Sequence, residues 1–219
     1  MLRALAMGGA AASLLASSMV IGTTAAHART ADITPPGGFT ISLVSVNGSG
    51  CPAGTASVAI SPDNTAFTVT YSNYLAQVGA GASPTDGRKN CQLTAQINAP
   101  QGFTYAIAEA DYRGYASLAN GATGEERANY YFQGQTQTAS ASHDFPGPMD
   151  DDWQATDQTG VAALVFAPCG EIRDLNINTQ LLVHAGTSDP ATTNSYMTMD
   201  STDGSVTTIY HLSWRTCPS

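Results

Sequence analysis

Basic residues are scarce in this sequence. Only 8 of its 219 residues are lysine or arginine, against 17 aspartates and glutamates, and the formal net charge is −9. Nucleic-acid binding depends on clustered lysine and arginine, so the composition argues against a nucleic-acid partner. Charged residues make up 11% of the chain, whereas soluble domains average roughly 25%. This low charge is not typical of a cytosolic helical enzyme.

Long apolar runs are absent after the first 28 residues. The N-terminal segment has a basic start at Arg3, a small and apolar stretch at 4–22, and the sequence Ala26-His27-Ala28. This order predicts a secretory signal peptide at 1–28, cleaved after Ala28. A membrane anchor is the alternative, but glycines and serines dilute the apolar stretch and no basic stop-transfer group follows. We therefore expect a secreted, extracellular protein with no membrane span after cleavage.

Clear helical periodicity is also missing after the signal peptide. Apolar and polar residues instead alternate with period two, which is typical of half-buried strands. The alternating windows are 39–43, 67–71, 93–97, 103–107, 175–177, 181–183 and 206–214. Clusters of glycine, proline and asparagine separate the windows and predict turns. We predict an all-β fold, with a flexible leader at 29–38 and a single antiparallel β-sandwich at 39–219.

Cysteine is limited to four residues, Cys51, Cys91, Cys169 and Cys217. An even number in an exported chain is typical of disulfide bonds. A zinc site is the alternative, but the sequence has no C-x₂-C pair. Three pairings are open to four cysteines. We prefer Cys51–Cys91 and Cys169–Cys217, because each pair closes a neighbouring region and the second fastens the C-terminal strand.

An ordered series of short motifs resembles one known family. The motifs are RKNCQL at 88–93, YRGYA at 112–116, YFQGQ at 131–135, FPGP at 145–148, CG at 169–170 and LNINT at 175–179. Together they resemble secreted bacterial and fungal proteins that carry the domain of unknown function numbered 4360. The resemblance covers nearly all of the mature chain. It implies an exported, disulfide-bonded domain, and it brings no activity, ligand or catalytic residue with it.

Acidic residues cluster at Asp144 and at Asp150, Asp151 and Asp152, where the turn at 146–148 predicts a loop. Calcium takes about six to eight oxygen ligands and suits flexible groups of carboxylates. The functional interpretation is a structural calcium site, with calcium as the candidate cofactor. The alternative is a solvated acidic turn, because the EF-hand pattern is absent.

Two further carboxylates, Glu109 and Asp111, stand two residues apart in a strand pattern. Alternation along a strand places both on one side, roughly 7 Å apart at their Cα atoms. Retaining glycosidases use two carboxyl groups about 5–5.5 Å apart. A surface ion pair with Arg113 is the simpler interpretation. A carbohydrate-active enzyme using Glu109 and Asp111 is therefore an alternative and not the main prediction.

Three histidines follow the predicted cleavage site: His143, His184 and His211. None has the spacing of a metal-binding motif, and no serine lies in a G-x-S-x-G sequence. The phase of the last strand places His211 opposite Trp214, which predicts a partly exposed side chain. Cleavage after Ala26 would expose His27 as an N-terminal residue, as in copper-dependent polysaccharide oxygenases, but cleavage after Ala28 is the better match.

Tyrosines are frequent in the middle of the chain, among asparagines and glutamines. They are Tyr71, Tyr74, Tyr105, Tyr112, Tyr115, Tyr130 and Tyr131. Tyrosines that face the core serve packing, while those in the opposite phase can stack on sugars. We predict a non-enzymatic binding, envelope or matrix-type protein with an unknown extracellular ligand, a glycan being one candidate. Besides the enzyme, the other alternative is a self-assembling structural protein whose strand edges pair between chains.

Overall fold

The computed structural model describes residues 35, 37–160, 164–199 and 208–218. The predicted signal peptide at 1–28 and most of the predicted leader lie outside these residues. The described part of the chain forms twelve β-strands and no α-helix. It accordingly has no helix that is long and apolar enough to cross a membrane.

The strands follow one another with short connections. They are β1 Thr40–Asn47, β2 Ala56–Ile60, β3 Ala66–Tyr71, β4 Leu75–Gly79, β5 Arg88–Asn98, β6 Phe103–Leu118, β7 Thr123–Phe132, β8 Ala139–Pro146, β9 Met149–Gln158, β10 Leu175–His184, β11 Asn194–Thr198 and β12 Thr208–Thr216. Each strand pairs antiparallel with its neighbours.

Two sheets pack against each other. The first has five strands in the order β1-β5-β10-β7-β8. The second has seven strands, with the path β2-β3-β12-β6-β11-β4 and with β9 paired to β6. The long strand β6 pairs with β12 and β11 along one edge and with β9 along the other. The prediction of an antiparallel β-sandwich is confirmed.

The strands in which apolar and polar residues alternate lie where the sequence predicted them. Windows beginning at Phe39, Phe67, Leu93 and Phe103 fall in or next to β1, β3, β5 and β6, and the two windows at 175–183 form one strand, β10. The short strands β2, β4 and β11 were not predicted, and neither were the three consecutive strands β7, β8 and β9. The inward positions of β7, β8 and β9 include Glu126, His143 and Asp157. These strands therefore lack the regular alternation of apolar and polar residues that predicts a strand.

Both predicted disulfides are confirmed. Cys51 is bonded to Cys91 with a Cα–Cα distance of 5.3 Å, and Cys169 to Cys217 with 5.8 Å. The first bond joins the segment after β1 to β5, and the second joins the segment before β10 to the end of β12. Loops of 40 and 48 residues restrict the unfolded chain enough to stabilise the fold by about 4 kcal/mol each.

The core is rich in tyrosine. The fully buried tyrosines are Tyr71, Tyr74, Tyr105, Tyr112 and Tyr210. They pack among apolar side chains such as Leu93, Ile177 and Leu181. Buried hydroxyls need partners, and that of Tyr74 lies 3.1 Å from Thr179 Oγ1 between the sheets. The core therefore contains a polar region as well as an apolar one.

Strands β8 and β9 are consecutive in the chain but belong to different sheets. β8 pairs with β7, while β9 pairs with β6 across the sandwich. The change of sheet occurs at the turn at 147–148, where the Gly147 N–H donates to the carbonyl of Ala122 at 2.9 Å. Inward side chains of β8 and β9 consequently face each other across the two layers.

Candidate functional site

A row of uncharged polar side chains crosses the outer face of the five-stranded sheet. The register aligns one residue from each strand: Asn47, Gln92, Asn178, Asn129 and Ser140. Adjacent strands lie ~4.8 Å apart, so the row extends over about 19 Å. A second row aligns Asn90, Gln180 and Ser142, with Arg127 between the last two. We call the eight amide and hydroxyl residues of these two rows the amide face.

A shallow depression of about 490 Å³ lies over part of the amide face. It is lined by Arg88, Arg127, Asn129, Ser140, Ala141, Ser142 and Gln180. Arg127 forms an ion pair with Glu125, in which Nη2 donates to Oε2 at 2.9 Å. Most of the remaining lining groups are amides and hydroxyls, which both donate and accept hydrogen bonds.

One tyrosine ring borders the amide face. Tyr131 points outward from β7, aligned with Asn176 of β10, and is half-buried. Most of the other tyrosines singled out in the sequence are buried in the core; these are Tyr71, Tyr74, Tyr105, Tyr112 and Tyr130. Only Tyr115 and Tyr131 of that set reach the surface.

Tyr115 lies on the outer face of the opposite sheet. Its ring centroid is 6.2 Å from that of Tyr196, and its hydroxyl donates to Asp150 Oδ1 at 2.7 Å. This hydrogen bond to a carboxylate raises the pKa of Tyr115 to about 12. The two outer faces thus differ. The amide face carries mainly neutral groups, whereas Tyr115 on the opposite face is hydrogen-bonded to an aspartate of the acidic run in β9.

A second candidate site lies between the sheets. Glu126 of β7, His143 of β8 and Asp157 of β9 bring a ligand atom each to within 4.8 Å of one another. Glu126 and His143 are register partners in one sheet, and Asp157 belongs to the other. His143 Nε2 lies 2.6 Å from Asp157 Oδ1. We call these three residues the buried cluster.

Asp157 is held by two hydrogen-bonding partners. Besides His143, the hydroxyl of Tyr130 donates to Asp157 Oδ2 at 2.6 Å, and the hydroxyl of Tyr112 contacts that of Tyr130. Asp157 is 6% exposed, so these contacts replace the water that a buried carboxylate loses. The contacts also fix the orientation of the carboxylate toward His143.

Glu126 is different, because it is completely buried and neither carboxylate oxygen has a hydrogen-bond partner among the described residues. Burial raises the pKa of Glu126 to about 9, and the nearby charge of Asp157 contributes. Such a carboxyl group either keeps its proton or faces a cation. Two carboxylates and an imidazole are also metal ligands.

A third group lies on the outer face of the seven-stranded sheet. Glu109 and Asp111 of β6 approach His211 of β12, and the ligand atoms again lie within 4.8 Å of one another. We call these three residues the exposed cluster. Its carboxylates have donors, because Thr156 donates to Asp111 at 2.6 Å and Gln158 donates to Glu109 at 2.9 Å. His211 is 40% exposed, as its phase on the strand predicts.

Asp150, Asp151 and Asp152 do not form the loop predicted from the sequence. They lie in β9, which pairs with β6 in register. Asp144 lies in β8, which precedes β9 in the chain but belongs to the other sheet. All four side chains are exposed. Successive residues of a strand point to opposite sides of the sheet. Fewer of these carboxylates can therefore reach one calcium ion than if the run formed a loop. Calcium binding at these four residues stays a prediction.

The sequence reasoning did not identify the buried cluster. His143 was noted only as a histidine without a motif, and Glu126 was not singled out. A signal was present in β7, where Glu126 is in phase with the buried residues Tyr130 and Phe132. Period-two counting from those aromatics would have placed a glutamate in the core.

Sequence and structure comparisons place the chain among known proteins. The family described as a domain of unknown function, DUF4360, matches residues 37–217. An uncharacterized secreted protein of Arthroderma benhamiae is 38% identical over 174 residues, which cover 80% of this chain and 70% of the relative. A structure of TmCBM61 in complex with β-1,4-galactotriose matches with a TM-score of 0.32 and 10% identity, over 85% of this chain and 92% of that chain. A likeness this weak carries no argument.

Proposed function

We propose that this secreted protein, which belongs to the DUF4360 family, is a non-catalytic binding protein whose amide face takes a neutral polysaccharide. The observation that supports the proposal is the continuous row of Asn, Gln and Ser side chains across all five strands. Asn47, Gln92 and Ser140 of the row are exposed, and Asn178 and Asn129 are half-buried. A ligand that follows the row would meet a polar side chain on every strand.

The chemistry of the amide face fits a ligand rich in hydroxyl groups. An asparagine or glutamine side chain has two N–H donors and one acceptor oxygen, and a sugar hydroxyl can pair with either. Asn129 and Asn90 already accept hydrogen bonds from Ser140 and Ser49, so their amide N–H groups are the ones most available to a ligand. Tyr131 lies at the border of the face and offers an aromatic surface for a sugar ring. Arg127 is paired with Glu125, which offsets its charge. Arg88 also lines the depression and is exposed, so the face is mainly, but not entirely, made of neutral groups.

The direct test measures binding of the purified, oxidised protein to a panel of neutral polysaccharides, including a β-glucan, chitin and a galactan. The test variants are the double variant Gln92→Ala/Asn129→Ala and the single variant Tyr131→Ala. The matched control is Tyr196→Ala, which truncates a half-buried tyrosine on the other outer face. We expect the wild type and the control to bind one polysaccharide equally and the test variants to bind at least tenfold more weakly.

Three results would contradict the proposal. One is that no polysaccharide of the panel binds, and another is that binding survives in all amide-face variants. The third is that binding is lost in Tyr196→Ala while the amide-face variants retain it. Circular dichroism of every variant shows whether a loss of binding reflects a loss of fold.

The two alternatives make different predictions. A carbohydrate-active enzyme using Glu109 and Asp111 would release sugars in the same panel, and Glu109→Gln would abolish that release. A self-assembling protein would show a mass that rises with concentration in light scattering, through pairing of strand edges. We expect neither sugar release nor concentration-dependent assembly from a non-catalytic binding protein.

A further inference from the structure

We propose that Glu126, His143 and Asp157 form a binding site for a divalent transition-metal ion, for which Zn²⁺ is the probe, between the two sheets. The proposal concerns the interior of the sandwich and does not depend on the amide face.

The geometry is close to what an ion requires. The three ligand atoms lie within 4.8 Å of one another. Bonds from Zn²⁺ to nitrogen and oxygen are about 2.0–2.2 Å long, so tetrahedral ligand atoms are about 3.4 Å apart. The separation of 2.6 Å between His143 Nε2 and Asp157 Oδ1 must therefore widen by about 0.8 Å. The ion would therefore replace the present hydrogen bond between His143 and Asp157.

Glu126 supplies an independent reason to expect a ligand. Its side chain is completely buried, and both carboxylate oxygens lack a hydrogen-bond partner among the described residues. Buried polar groups are nearly always hydrogen-bonded. A cation seated against Glu126, His143 and Asp157 would satisfy these oxygens. A divalent ion would also balance the charge of two ionised carboxylates.

The surroundings resemble the support that metal ligands usually receive. The hydroxyl of Tyr130 donates to Asp157 Oδ2 at 2.6 Å, which leaves Oδ1 directed toward His143 and the proposed ion. Such second partners orient ligating carboxylates and are common around metal ions. The strands β7, β8 and β9 carry one ligand each, so the ligands are held by paired backbone and not by a loop.

The ligand set indicates the class of ion. One imidazole with two carboxylates suits zinc and other divalent first-row ions. Calcium prefers about six to eight oxygen ligands, so the imidazole argues against it. His143 is more accessible to solvent than Asp157, since its side chain is 31% exposed and that of Asp157 is 6% exposed.

The exposed cluster provides a matched control. Glu109, Asp111 and His211 are the same three residue types at similar spacing. Their carboxylates already accept hydrogen bonds from Thr156 and Gln158, and His211 is 40% exposed. They have no buried carboxylate without a partner, so we do not propose an ion there.

The experiment titrates Zn²⁺ into chelator-treated, folded protein and follows heat release and the thermal midpoint. We expect one equivalent to bind and the midpoint to rise by several degrees in excess Zn²⁺. His143→Gln and Glu126→Gln should each weaken binding at least a hundredfold. His211→Gln should bind Zn²⁺ as the wild type does. Ca²⁺ at the same concentration should not compete.

A second measurement uses the wild type alone and so does not depend on variants that fold. Histidine-selective NMR should show the His143 signals shifting or exchanging on addition of one equivalent of Zn²⁺, while those of His184 and His211 stay in place. The proposal is overturned if Zn²⁺ does not bind, if only the His184 or His211 signals respond, or if binding is lost in His211→Gln and kept in His143→Gln.

Discussion

The buried cluster and the exposed cluster contain the same kinds of side chain, two carboxylates and one histidine, in different surroundings. In the exposed cluster, each carboxylate accepts a hydrogen bond from a neighbouring side chain of β9. In the buried cluster, Asp157 has two partners while Glu126 has none among the described residues. The residue types alone therefore do not determine whether a carboxylate of such a cluster is hydrogen-bonded or left without a partner. Burial and the supply of hydrogen-bond donors do.

The difference also concerns position in the sandwich. The exposed cluster lies on one face of one sheet, where water can screen its charges. The buried cluster joins β7 and β8 of one sheet to β9 of the other. Changes in the buried cluster should therefore affect the stability of the whole fold, while changes in the exposed cluster should have local effects.

The largest expected effect is a pH dependence of stability that comes from Glu126. Its pKa is raised to about 9 in the folded state, mainly by burial, against about 4.3 in an unfolded chain. Between these values the folded state holds a proton that the unfolded state has lost. The free energy of unfolding of metal-free protein should therefore fall as pH rises through this window, by up to about 1.4 kcal/mol per pH unit.

Urea unfolding in a chelator at several pH values between 5 and 9 measures this slope. Glu126→Gln should flatten it, since glutamine does not titrate, while the exposed control Glu109→Gln should keep the wild-type slope. An equal slope in wild type and Glu126→Gln would show that Glu126 is ionised or solvated in the folded protein.

The next effect compares the two aspartates. In metal-free protein at neutral pH, Asp157→Ala should lower the free energy of unfolding by about 3 kcal/mol, because it removes the buried carboxylate that is hydrogen-bonded to both Tyr130 and His143. Asp111→Ala should lower it by about 1 kcal/mol, since its partners His211 and Thr156 are closer to water. Equal losses in the two variants, measured by urea unfolding, would remove the distinction between the clusters.

A smaller effect is expected from calcium binding to the exposed aspartates, which are Asp144, Asp150, Asp151 and Asp152. Extracellular calcium sites can have dissociation constants near ~10⁻³ M. Calcium at tenfold excess would then add about 1.4 kcal/mol and raise the thermal midpoint by a few degrees. We expect the Asp150→Asn/Asp152→Asn variant to lose that rise. A rise that persists in this variant would exclude these two residues as calcium ligands.

The smallest effect is expected from the exposed histidine. His211 lies 3.1 Å from Asp111 and 4.0 Å from Glu109, but it is 40% exposed. When the histidine is protonated, such an exposed ion pair contributes about 0.2–1 kcal/mol and is weakened by salt. His211→Gln should therefore lower the free energy of unfolding by about 0.5 kcal/mol in low salt and by less in 1 M salt. A loss above 2 kcal/mol would show that the exposed cluster also supports the fold.

Much of the fold was predictable, and the reasons are local. Strands β1, β3, β5, β6 and β10 alternate apolar and polar residues clearly, and such alternation produces one buried face. The cysteine pairing was predictable because each bond joins regions that lie near each other along the chain. Strands β7, β8 and β9 were not predicted, because inward positions hold Glu126, His143 and Asp157. Polar residues in the buried phase obscure the pattern on which strand prediction depends.

The candidate sites also combine features that the local sequence predicts with features that depend on strand pairing. Glu109 and Asp111 could be placed on one side of β6 from their spacing alone, since they are neighbours in a single strand. The approach of His211 depends on the pairing of β12 with β6, which the local pattern does not specify. The amide face requires the register of five strands. The residues of the amide face come from all five strands, so no short segment of the sequence contains most of them.

The amino-acid sequence by itself determined the class of this protein: an acidic, secreted, disulfide-bonded β-sandwich with a recognisable family. Acidity follows from composition, secretion from the N-terminal signal pattern, the disulfides from the cysteines and the strands from period-two alternation. The family follows from its resemblance to an ordered series of short motifs. Each of these features can be found without tertiary contacts. The separation of β8 and β9, adjacent in the chain, into different sheets is visible in the three-dimensional structure alone. That separation brings His143 and Asp157 together across the core and encloses Glu126 beside them. Long-range strand pairing sets these contacts, and it depends on the packing of the whole sandwich.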